Sequence, residues 1–181
     1  MSKSKNTATD TPSISNVERL KELEKARLWA SETPCMLEFI DCGNLVDLDG
    51  CDMSLNKEQM NGIFLLLDGI LSNLEGISVI ADECGTEEKT AGTIRRFCDD
   101  AMNIISLAMK LAKVRLAEEE NDEERVSDEI CMASIWVAGF LASLRLANEI
   151  HVSNIYECVQ ELIGAIPAHS EGDGNEHNSL H

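Results

Sequence analysis

Aromatic side chains are scarce in this chain, with two Trp, one Tyr and four Phe among 181 residues. So few rings argue against the aromatic-rich interior of a β-sandwich. The core volume must come from Leu, Ile, Ala, Met and Cys, which suit helices better. Paired cysteines are also missing. The seven, at 35, 42, 51, 84, 98, 131 and 158, are odd in number and form no CxxC. Reduced thiols in a cytosolic setting are expected, most of them as small core residues. The opening "MSKSKNTATDTPS" is polar and does not read as a signal peptide. No long apolar run occurs either: the longest, "ICMASIWVAGFLASL" at 130–144, stops before Arg145 and reads as a buried helix rather than a membrane span.

Basic residues are in short supply, 15 against 33 acidic ones, for a formal charge of −18. The imbalance is uneven. Residues 37–88 hold twelve acids against Lys57 alone, and 118–181 hold fourteen acids and two bases. Such a chain repels phosphate, so direct contact with nucleic acid or an anionic membrane is disfavoured. Basic partners, cations or plain solubility fit the charge. The signatures GxxxxGK, GxGxxG before a helix, GxSxG and HExxH are all absent. No residue set argues for an enzyme or for a bound cofactor.

What the chain does have is helical periodicity. Residues 1–13 read as a disordered arm, 14–164 as a single α-helical domain, and 165–181 as a disordered acidic tail. Ile14, Val17, Leu20, Leu23 and Leu28 mark a first helix to about Ser31. Thr33-Pro34 then supplies a cap and a first-turn proline for a short helix "CMLEFID" ending at Gly43. Asn56, with Gln59 three residues on, caps a helix running to about Asp82. After a break at 84–86, a long helix covers about 87–118. A fifth helix, apolar nearly all round, follows the linker "EEENDEER", with Ser127 as its cap candidate. A turn near 151–153 leads to a short helix ending at Gly164. The expected fold is all-α, a bundle of five or six helices with disordered polar ends.

One repeat stands out. "MNGIFLLLDGILSNLEGI" at 60–77 places glycines at 62, 69 and 76, each followed by isoleucine. On a helix this makes a lane of glycines beside a seam of Ile63, Leu66, Ile70 and Ile77. Three interior glycines cost about 2–3 kcal/mol relative to alanine, and close approach of another helix would offset it. That helix belongs to the same chain or to a second copy, as in a homodimer. Alternatively the glycines break the helix, and "ISVIA" becomes a strand of an α+β fold.

Two partial motifs compete for function. "DLDGCDMSLNKE" at 47–58 has the length of a calcium-binding EF-hand loop, with Asp47, Asp49 and Glu58 at the first, third and twelfth positions. Cys51 replaces the fifth ligand, and Asp52 stands where glycine makes the turn, so too few oxygens remain. "LRLANEIHVSNIYECV" at 144–159 follows the helix-turn-helix spacing, but His151 replaces the turn glycine. Its would-be reading helix has no Lys or Arg. Cys51 gains no reactivity from its setting, because Asp49 and Asp52 beside it oppose a thiolate. The bases Arg95, Arg96, Lys110, Lys113 and Arg115 on the long helix read as internal partners of the flanking acids.

The function expected from these signals is non-enzymatic: an acidic helical protein acting through protein–protein contacts, as adaptor or inhibitor. A sharper form has its acidic surface imitate nucleic-acid charge and block a basic nucleic-acid-binding protein. The partner surface would include Asp47, Asp49, Asp52, Asp68, Glu75 and Asp82, and the partner would be a basic protein or, across the glycine seam, a second copy. The alternatives are a metal-dependent sensor or enzyme at 47–58 and a DNA-binding regulator at 144–159.

Overall fold

The computed structural model describes residues 14–42, 55–120, 131–132 and 134–167. The expected disordered arm 1–13, the acidic loop 43–54 and the tail beyond 167 lie outside them. Helix α1 spans Asn16–Cys42 and begins at a cap that the apolar pattern hides. Ser15 Oγ accepts the Glu18 N–H, while the Glu18 carboxylate accepts the Ser15 N–H at 3.1 Å. This is the S-x-x-E capping box.

The two helices expected between residues 14 and 43 are one. Pro34 lies inside α1 instead of opening a new helix. It supplies no N–H to the Ala30 carbonyl. The Thr33 hydroxyl donates to the Trp29 carbonyl at 2.8 Å, within the turn before it. What carries the helix past the proline is burial. Leu23, Ala26, Ala30, Thr33, Leu37 and Ile40 are all buried, at spacings of three and four residues on both sides of it. Tertiary packing overrides the local break signal.

Helix α2, Lys57–Cys84, starts where the sequence places it. Asn56 Oδ1 accepts the Gln59 N–H at 2.8 Å and the Gln59 side chain accepts the Asn56 N–H at 2.9 Å. The segment 77–81 is helical throughout, so the α+β alternative does not hold. The helix ends where Gly85 turns to extended backbone, and no side chain fits there: a Cβ would sit 2.4 Å from the Ala81 carbonyl oxygen and 3.2 Å from Ala91. Helix α3 then runs over Glu88–Glu120.

Two short strands close one end of the molecule: β1, Leu55–Asn56, pairs antiparallel with β2, Cys131–Met132. Helix α4, Ser134–Ala147, passes into a π-helical turn at Asn148–Val152 and on into α5, Ser153–Gly164. Val152 and Ser153 keep right-handed helical backbone angles. The expected turn at 151–153 is therefore a widened helical turn, and no corner divides residues 144–159 into two crossed helices.

Residue contacts set the direction of each rod. Trp29 lies against Gly76 and Met36 against Gly69, so α1 and α2 are antiparallel. Arg95–Asp82 at one end and Lys57–Glu120 at the other do the same for α2 and α3. Arg115 over Trp136, and His151 facing Asp100, reverse α4–α5 against α3. Arg145 binds Asp41 with both Nη2 and Nε, at 2.7 and 3.1 Å, tying α4 to α1. Among the described residues the fold is an up-down-up-down bundle of four rods, where five or six helices were expected. Its core is aliphatic, with Leu23, Leu37, Met60, Leu67, Ile70, Leu74, Ile94, Ile105, Leu144 and Ile155 almost fully buried. Phe64 and Phe140 add one edge-to-face ring pair at 6.4 Å.

Candidate functional site

Helix α2 is the element around which a site can be built. With a seven-residue repeat, its residues fall into lanes that stay parallel to the bundle axis. Met60, Ile63, Leu67, Ile70, Leu74, Ile77, Ala81 and Cys84 form the core seam, all buried. Leu66, at the edge of that seam, is 36% exposed. Among the described residues α2 is also the one helix long and apolar enough, by length and composition, to cross a membrane. In the bundle that apolar side is spent on the core.

The glycine lane faces α1, and its three members meet different surroundings. A Cβ on Gly76 would come within 2.5 Å of Trp29 Cζ3, so here α1 and α2 are in close approach. At Gly69 it would meet only Met36 Cε, at 3.9 Å, an ordinary contact. At Gly62 nothing among the described residues lies within 4 Å. The tight helix contact suggested by all three glycines is found at Gly76 alone. The neighbour there belongs to the same chain.

Past the open glycines lies a groove of about 630 Å³ between α1 and α2, lined by Ser31, Glu32, Cys35, Met36, Phe39 and Leu66. Phe39 is 67% exposed on its α1 side, and Leu65 on α2 is 74% exposed. Asp68, Glu75 and Asp82 form a lane of exposed acids on the outer flank of α2. Asp82 bonds Arg95 at 3.1 Å; among the described residues Asp68 and Glu75 have no ion-pair partner. Asp47, Asp49 and Asp52 lie outside the described residues, so the structure brings together three of the six acids proposed from sequence.

The opposite side of the bundle differs in sign. A cavity of about 210 Å³ between α3 and α4 is lined by Ala108, Leu111, Met132, Trp136, Gly139 and Phe140, among others. Lys113 lies over the Phe64 ring and Arg115 over Trp136, at 5.0 and 5.5 Å. Arg115 also pairs with the buried Glu119 at 2.7 Å. These bases are thus partly engaged inside the molecule.

Other reactive groups are dispersed. Burial pushes the Cys98 thiol up to about 12, and raises Cys84 and Cys158 as well, with nearby acids adding to each. Cys35 is exposed on the groove. His151, in the π-helical turn, keeps its Nδ1 buried without a hydrogen-bond partner among the described residues, 4.0 Å from Asp100. Among the described residues no three His, Cys, Asp or Glu side chains gather as metal ligands. No protein-family model, no curated protein and no solved structure matches this chain.

Proposed function

We propose that this chain is a non-enzymatic, cytoplasmic helical protein that works by binding a basic partner protein, as an adaptor or an inhibitor. The observation that carries the reading is the surface of α2. Exposed acids Asp68 and Glu75 run beside the exposed apolar side chains Leu65 and Val79 along the same helix. Apolar side chains give a partner something to bury, and acids beside them select one of positive charge. The net charge of −18 extends that field and steers encounter. In its sharpest form the acidic surface competes with nucleic acid for a basic nucleic-acid-binding protein.

Affinity capture from the source cell, eluted by a salt gradient, tests the reading. Specific partners with basic surfaces, released as screening shortens the reach of the charges, are expected. Partners that are acidic or indifferent to salt overturn it. For the inhibitory form, the captured protein should lose its nucleic acid as this chain is added.

A further inference from the structure

We infer that the groove between α1 and α2 is the docking site for an amphipathic helix of the partner, one whose apolar stripe is flanked by Lys or Arg. The inference rests on the partner-binding function proposed above and gives it a place and an occupant. The groove has an apolar lining and an open wall. Met36, Phe39 and Leu66 line it, and Phe39 is two-thirds exposed. Gly62 and Gly69 stand one turn to either side of Leu66 on the α2 wall. Among the described residues, open space at one and only an ordinary contact at the other let an incoming side chain reach the backbone. Two parallel ridges with a gap between them accept a third helix, whose anchors recur at i, i+3 or i+4 and i+7. An added strand has no comparable place, since the described strands are two residues long.

Charge says which helix. Residues 28–42 of α1 and 58–75 of α2, which flank the groove, carry Glu32, Glu38, Asp41, Glu58, Asp68 and Glu75 and not one Lys or Arg. Asp41 is engaged by Arg145. Glu38 turns with Asp41 towards α4, and Asp68 and Glu75 share the lane of Asp82 towards α3, while Glu32 lies in the groove lining itself and Glu58 is exposed one turn before Gly62. A neutral or acidic helix would desolvate or repel these carboxylates; a basic one is steered to them. A second copy of this chain offers a related surface, the exposed Leu107, Leu111 and Val114 of α3 beside Lys110 and Lys113. Joining copies that way would, however, bring together two molecules of charge −18. The foreign basic helix is therefore the occupant.

The test uses the full chain and two sets of stapled helical peptides sharing apolar stripes at i, i+3 or i+4 and i+7. One set is flanked by Lys and Arg, the other by Glu. Binding is read by fluorescence anisotropy against wild type, Gly62→Leu/Gly69→Leu and Glu32→Lys/Glu58→Lys. Leucines at the open glycines fill the groove from a helix that tolerates them, and circular dichroism verifies that each variant is folded. Preferred binding of basic peptides is expected, at least about tenfold weaker in either double variant and weakened by salt. Basic peptides that bind all three proteins alike overturn the groove while leaving the proposed function standing. No preference for basic over acidic helices overturns both. Sedimentation of the chain alone completes the test: a monomer supports a foreign occupant. Self-association abolished by Lys110→Glu/Lys113→Glu assigns the groove to a second copy and overturns it.

Discussion

Replacing each glycine of α2 by alanine separates helix propensity from packing within one repeat. In an open helical position the change stabilises by about 1 kcal/mol, because alanine loses less backbone freedom on folding. Among the described residues Gly62→Ala meets nothing within 4 Å and should realise that gain in full. Gly69→Ala meets Met36 Cε at 3.9 Å and should do the same or slightly better. Gly76→Ala puts its methyl 2.5 Å from Trp29 Cζ3, 3.1 Å from Cη2 and 3.2 Å from Cε3. The indole is half-buried against the core, with Lys25 Nζ 4.7 Å over its face, so the ring must tilt or α1 must back away. Overpacking of that kind costs about 1–3 kcal/mol, which less the propensity gain leaves a loss of about 0–2 kcal/mol. For a domain of this size about 1 kcal/mol moves Tm by roughly 2–4 °C. Thermal unfolding followed by far-ultraviolet circular dichroism should therefore raise Tm for Gly62→Ala and Gly69→Ala and hold or lower it for Gly76→Ala. Adding Trp29→Leu to Gly76→Ala should then cost less than Trp29→Leu does in the wild type, as expected for residues in contact. Equal stabilisation at all three glycines would refute the placement of Trp29, and with it the register of α1 on α2.

Asn56→Ala removes the side-chain half of the α2 capping box, the oxygen that accepts the Gln59 N–H, and should cost about 1 kcal/mol, read as a lower urea midpoint with unchanged slope. Pro34→Ala restores an N–H to the middle of α1 and should raise Tm; a fall would mean that the proline's fixed backbone is needed to bring Leu37 and Ile40 to the core. Iodoacetamide at pH 8, followed by peptide mass spectrometry, should modify exposed Cys35 well before buried Cys84 and Cys98. The same burial sets a pH dependence. The folded Cys98 thiol titrates at about 12, above the ordinary 9.0, so its contribution is whole below pH 9 and is lost as pH rises from there towards 12. Urea unfolding repeated at pH 8 and pH 10 should show that loss, and a smaller one in Cys98→Ala.

The bundle was largely legible because burial in a helix leaves a period. In α2 the isoleucines and leucines at 63, 67, 70, 74 and 77 all point inward, so the seam leaves no doubt of register. The Asn56–Gln59 box was equally plain, since both halves of the signal are local. Illegible features were those decided by a neighbour that the local pattern does not contain. Thr33-Pro34 carries the chemistry of a helix start, and only the core contacts of Leu37 and Ile40 beyond it keep α1 continuous. The Ser15–Glu18 box was open to reading but stood behind Ile14 and Val17, which are exposed although they extend the apolar pattern. At His151-Val152-Ser153 the composition resembles a corner, but a wider helical turn accommodates it and the chain runs on into α5.

The glycine lane makes the same distinction within one helix. Gly62, Gly69 and Gly76 are equivalent in sequence, each preceded by Asn, Asp or Glu and followed by Ile. Their surroundings differ because α1, running antiparallel, presents its own seven-residue lane: Trp29 opposite Gly76, then Met36 opposite Gly69. One further heptad would fall beyond Cys42, where α1 ends, so no α1 side chain stands opposite Gly62. The repeat on α2 thus acquires a gradient, closed by an indole at one end and open at the other. The close approach is the reason for the glycine at 76; among the described residues those at 62 and 69 have no such internal reason. An external helix lying in the groove beside Phe39 supplies one, since a bulkier side chain at either position would stand where that helix must come. If Gly69→Leu leaves partner binding intact while raising Tm, these two glycines have no such role and the groove is only surface.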